Sequence, residues 1–112
     1  MKREFLHIAM YRALDCLYDE KPAKNILQFL TDANPYIYSD RTTADPAVQA
    51  DFNKSMDKQH IGQEVDEEIS YFAVKIFLAE QNINFAKMFE QISLDEWKKL
   101  CEIISAEEEL TK

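Results

Sequence analysis

From Val65 to Glu80 the chain reads VDEEISYFAVKIFLAE, and between Ile69 and Ala79 only Ser70 and Lys75 are polar. At about 100° per residue the apolar positions of a helix here fall into two stripes. Val65, Ile69, Phe72, Ala73 and Ile76 line one side, and Tyr71, Val74 and Leu78 lie roughly opposite with Phe77 between. The pattern predicts a central, buried helix over about 64–80, covered on most of its circumference. Phe72 and Ile76 are expected in the core with Trp97.

The remaining hydrophobic spacing predicts five or six helices in one compact all-α bundle, a single domain over residues 1–112. A first helix over 3–19 carries Phe5, Ile8, Ala9, Ala13, Cys16 and Leu17 on one row and Leu6, Met10, Leu14 and Tyr18 on another. A second, over about 22–33, begins with Pro22 in its first turn and buries Ile26, Leu27, Phe29, Leu30 and Ala33. Asn34-Pro35 ends it, because the residue before proline is driven out of the helical region. Asp45-Pro46 starts a third as N-cap and first helical residue. Its apolar stripe of Val48, Phe52 and Met56 is thin, which predicts a peripheral helix, and Gly62 is expected to stop it in the left-handed conformation. After Asn82 or Asn84 comes a short helix with Phe85, Met88, Phe89 and Ile92. Ser93-Leu-Asp-Glu96 reads as a capping box opening a last helix that buries Leu94, Trp97, Leu100, Cys101 and Ile104.

Composition agrees with helices. A single Gly and three Pro leave few tight turns for strands, while seven Phe, five Tyr and one Trp within a hydrophobic content of 46% supply a core. The double stripes on the first and central helices offer more apolar surface than a small bundle encloses, so a homodimer is expected. There is no internal repeat, no low-complexity segment and no run of about 18 apolar residues such as a membrane span needs. The basic start, MKREFLHIAMYR, lacks the apolar run of a secretory signal, and the expectation is a cytoplasmic protein with no membrane partner.

The net charge of −8 is uneven: residues 63–112 hold twelve acidic residues against five basic ones. Such a surface repels nucleic-acid phosphates and suits a basic protein partner. Glu64, Asp66, Glu67 and Glu68 complement the dipole at the start of the central helix. Glu107, Glu108 and Glu109 oppose it at the end of the last helix, where no stabilising role is evident from sequence, and with Glu102 they form a candidate partner-binding surface.

Candidate chemistry is sparse. One glycine forbids a phosphate loop, and no Glu-x-x-His pair offers an in-bundle metal site. Asp32-Ala-Asn34-Pro-Tyr36 starts like a calcium loop but has Ile37 and Thr43 where Gly and Glu are required. Cys16 and Cys101 read as reduced core residues, His7 as a surface residue. The expectation is no cofactor and no enzymatic activity. The ten-residue segment PYIYSDRTTA, Pro35 to Ala44, is long for a helix connection, and Tyr36, Tyr38 and Arg41 are residue types enriched in interface hot spots. A small acidic non-catalytic interaction module is the favoured reading. Its size and charge are also found among bacterial immunity proteins and antitoxins, without a shared motif. The alternative is a divalent-metal or small-ligand site built from His60, Glu64, Glu67 and Glu68.

Overall fold

The computed structural model describes residues 1–111. A 3-10 turn, Arg3–Phe5, leads into α1 (Leu6–Glu20), followed by α2 (Lys24–Ala33), α3 (Pro46–Lys58), α4 (Glu67–Gln81), α5 (Ile83–Phe89) and α6 (Leu94–Leu110). The described residues contain no strand, only an isolated bridge between Lys2 and Glu64 that lays the N-terminus along the approach to α4. The radius of gyration, 12.8 Å, is what a folded chain of this length has, about 13 Å. The molecule is an all-α bundle.

Helix ends follow local chemistry. Asp45, Asp66 and Asn82 each accept from backbone N–H groups of the first turn that follows. Ser93 and Glu96 close the reciprocal capping box, with bonds of 3.1 and 3.0 Å. Pro22 falls outside α2, whose N-cap is Ala23. The stop of α3 also differs from expectation. His60, at φ 60°, holds the left-handed position, with His60 N–H on the Asp57 carbonyl and Ile61 N–H on that of Met56. This is a Schellman motif, and its C′ residue is the histidine rather than Gly62.

α4 packs against α1, α3, α5 and α6, but the stripe it buries is the other one. Tyr71, Val74, Phe77 and Leu78 are buried with Ser70 and Ala73, whereas Ile69, Phe72 and Ile76 are exposed. Ser70 lies on the buried face. Its hydroxyl accepts from the Trp97 indole at 2.9 Å inside the core. Tyr71 likewise keeps its ring among Phe89 and Trp97 and donates its hydroxyl to the Ile92 carbonyl at 2.6 Å. A polar tip with a partner costs little to bury, so a face carrying one serves as core.

The helix wrapped on nearly every side is the first half of α1, where Leu6 to Met10 are all buried, His7 included. Its second half turns outward after Leu14, which leaves Cys16 exposed. α3 is narrow but not peripheral. Phe52 and Met56 are fully buried, and Phe52 meets Phe77 and His7 edge-on at 5.0 and 5.9 Å. Ser55 and Lys58 both hold Glu80, at 2.6 and 2.9 Å, tying α3 to α4.

Candidate interaction surface

The segment between α2 and α3 closes on itself. Ala44 N–H bonds the Asn34 carbonyl and Asp45 N–H that of Asp32, both at 2.9 Å, so the two ends of the loop are pinned together. Within it, Asn34 Oδ1 accepts from Tyr36 N–H, Arg41 N–H turns back to the Tyr38 carbonyl, and Asp40 accepts from Thr42 N–H. Thr43 is buried, donating to the Asp45 carbonyl at 2.6 Å and accepting from Gln49 N–H at 3.0 Å. This is the self-packed arrangement of an Ω-loop.

Arg41 adopts the left-handed conformation, φ 66°, at a cost of about 1–2 kcal/mol for a residue with a Cβ. Two groups hold it there. Its carbonyl accepts from His7 Nε2 at 2.8 Å, and its Nε donates to Glu108 Oε1 at 2.9 Å, Glu108 being only 6% exposed. Because the carbonyl can only accept, the His7 ring carries its proton on Nε2. Burial pushes the His7 pKa below its ordinary value, against the smaller opposing pulls of that carbonyl and of Glu108. His7 is thus a neutral, structural anchor for the loop.

Tyr36 is held from three sides. The Arg41 guanidinium lies 5.3 Å from its ring centre, Tyr11 meets it edge-on at 6.1 Å, and Arg12 donates to its hydroxyl at 3.2 Å. Arg12 also donates to Glu107 at 2.9 Å, and the Tyr36 and Glu107 bonds both raise its already high pKa. The acidic end of α6 therefore has a structural role. Glu107 binds Arg12 of α1, Glu108 binds Arg41 of the loop, and Glu109 binds Lys2 at 2.8 Å. Three consecutive carboxylates, unfavourable toward their own helix dipole, each meet a cation from another part of the chain.

Of the residues singled out from sequence, Tyr36, Arg41, Glu107 and Glu108 come together with Arg12. Tyr38 stands beside them, 48% exposed. Glu102 and Glu109 face elsewhere, toward an open concavity of about 400 Å³ that Glu64 and Glu67 also line, with Met1 and Lys2. His60 and Glu68 do not join it. Among the described residues no three His, Cys, Asp or Glu side chains are placed to hold a metal ion.

Beside the loop runs a groove that sequence periodicity did not reveal. It has a volume of about 430 Å³ and an apolar lining that includes Tyr11, Tyr18, Leu27 and Ile37. Leu27, expected in the core, is 49% exposed here, and Ile37 is 61% exposed. Asp15 and Asp19, one helical turn apart on α1, also line it. Partial burial, and then the charge of Asp19, raise the Asp15 pKa, while Arg12 offsets this only in part. Two like charges at this spacing destabilise their helix unless a cation joins them. Only the shared placement of α1, α2 and the loop assembles this groove, so no local motif announced it.

No helix is long and apolar enough to cross a membrane among the described residues. No family model matches the chain, and no solved structure matches it. A stretch of 66 residues, 59% of the chain, is 35% identical to part of the intermembrane lipid transfer protein Vps13D of Drosophila melanogaster, and this match spans 2% of that protein's length.

Proposed function

We propose that the chain is a cytoplasmic, non-catalytic interaction module that binds a basic protein segment in the groove between α1, α2 and the loop. The observation that carries this reading is the pairing, in one groove, of exposed apolar side chains with two neighbouring carboxylates, Asp19 and an Asp15 that Arg12 compensates only in part. An apolar anchor from the partner fills the space between Leu27 and Ile37, and flanking Lys or Arg side chains reach the two aspartates. Tyr38 and the exposed edge of Tyr36 extend the contact over the loop. Because the loop is already fixed by His7, Glu108 and Arg12, little ordering entropy is lost on binding. The surrounding negative charge speeds encounter with a basic partner, and the apolar anchors set the lifetime of the complex. An immunity- or antitoxin-like role against a basic toxin is one form this takes. The stretch shared with Vps13D is 2% of that protein and lends no lipid-transfer role to this chain.

Affinity capture from the organism of origin tests the proposal, with wild type compared against Tyr38→Ala and Ile37→Asp, both exposed positions. A specific, basic, salt-sensitive partner is expected with wild type and should be lost with either variant. A partner retained undiminished by both variants removes the groove from consideration.

A further inference from the structure

The outer face of α4 is uncovered: Ile69 is 57% exposed, Phe72 50% and Ile76 48%. We propose that this face pairs with the same face of a second copy of the chain, the two α4 helices lying antiparallel about a two-fold axis beside Phe72. At about 100° per residue, Phe72 and Ala79 run along the middle of the exposed face. Ile69 and Ile76 line one edge, Glu68 and Lys75 the other.

This arrangement of edges is self-complementary in one orientation only. When two helices pack antiparallel about a two-fold axis perpendicular to their common plane, like edges meet and residue order reverses. Ile69 then faces Ile76 of the second copy, and Glu68 faces its Lys75, each contact occurring twice. A parallel pair would instead set the charged edge against the apolar one. Within its own chain Lys75 meets Glu90 at 3.1 Å and lies 5.9 Å from the Phe72 ring centre. In the pair it stands between Glu90 and Glu68 of the second copy, two acids around one base, as suits a chain of charge −8.

One pair of four-turn helices covers less than the ~800 Å² per partner of a standard stable interface. The dimer is therefore weak, half-dissociated on the order of 10–100 µM.

Sedimentation velocity from about 5 to about 500 µM spans that range, run with a reductant so that the exposed Cys16 thiol forms no cross-link. The average mass should rise from 13.1 kDa toward twice that value. Phe72→Glu should remain monomeric throughout with an unchanged circular dichroism spectrum and melting midpoint, because the position is exposed. Glu68→Lys and Lys75→Glu should each weaken self-association by about tenfold or more, since like charges then meet at both ends of the edge. Mixed in equal amounts, those two variants should regain association, because every charged contact between them is then opposite in sign. A wild type that stays monomeric at the highest concentration overturns the proposal. So does a Phe72→Glu variant that dimerises undiminished, or a mixture that associates no better than its separate components.

Discussion

The two faces of α4 differ little in hydrophobicity and entirely in fate. The inner one, Ser70, Tyr71, Ala73, Val74, Phe77 and Leu78, is buried, while Ile69, Phe72 and Ile76 on the outer one are about half exposed. What separates them is the neighbourhood available to each. Phe77 meets Phe52 at 5.0 Å and Phe29 at 6.4 Å, Tyr71 meets Phe89 and Trp97, and the two polar tips on that side find partners. The outer stripe has purely aliphatic or phenyl groups and no helix left to receive them. A face becomes core when other elements supply both apolar contact and partners for its polar atoms, so counting hydrophobic positions does not decide between two candidates.

The largest test of this contrast is a pair of truncations. Phe77→Ala should cost ~3–5 kcal/mol, whereas Phe72→Ala should cost under about 1 kcal/mol, both read from urea unfolding at low protein concentration. Equal losses would mean that the two faces are equally enclosed. Next in size is Ser70→Ala, which leaves the Trp97 indole N–H buried without an acceptor and should cost ~1–3 kcal/mol. Near-neutrality of that change would show that the hydroxyl is incidental and that packing alone chose the face.

A smaller effect comes from His7, a buried polar residue that reads as surface in sequence. Its ring titrates near 6.5 in the unfolded chain and lower in the folded one, because burial disfavours the imidazolium. The unfolded chain therefore takes up the proton first as pH falls. The contribution to stability is complete above the unfolded pKa and is lost as pH drops through the folded one. His7→Gln keeps a donor for the Arg41 carbonyl and should flatten the decline in unfolding free energy just below pH 6.5. An identical slope in the variant would place the titrating group elsewhere.

The last test touches reactivity alone. Burial, and then the charge of Glu67, push the Cys101 thiol up to about 12, whereas Cys16 is exposed. Native protein should react with one equivalent of a thiol reagent and denatured protein with two. Two fast equivalents in the native state would mean that the floor beneath α4 opens readily.

Much of the fold was legible because its signals are local. The Ser93–Glu96 capping box, the Asp45-Pro46 start of α3 and the break at Asn34-Pro35 each depend on backbone groups within a few residues, and each appears in the structure as read. Whether a side chain lies inside or outside depends on distant segments and is less legible. Helical spacing puts Cys16 inside and His7 outside, and the structure has them the other way round; the stop of α3 differs for a local reason, His60 taking the left-handed position in place of Gly62. In the candidate surface, Tyr36, Tyr38 and Arg41 stood out by residue type, but Arg12, which joins Tyr36 to Glu107, gave no signal along α1. Asp15, Asp19 and Leu27 likewise meet Ile37 only in space.

The sequence by itself determined that the chain is helical, where most helices begin and end, and that acid accumulates toward its C-terminal half. Propensity, capping and turn chemistry act over one or two turns and leave their mark in neighbouring letters. Only the tertiary structure decided which stripe of α4 lies inward, and it turned Glu107, Glu108 and Glu109 from a dipole conflict into three links to Arg12, Arg41 and Lys2. Burial of a polar or charged group is favourable only when its partner arrives, and here each partner comes from a separate segment, as Trp97 does for Ser70 and Arg41 for Glu108.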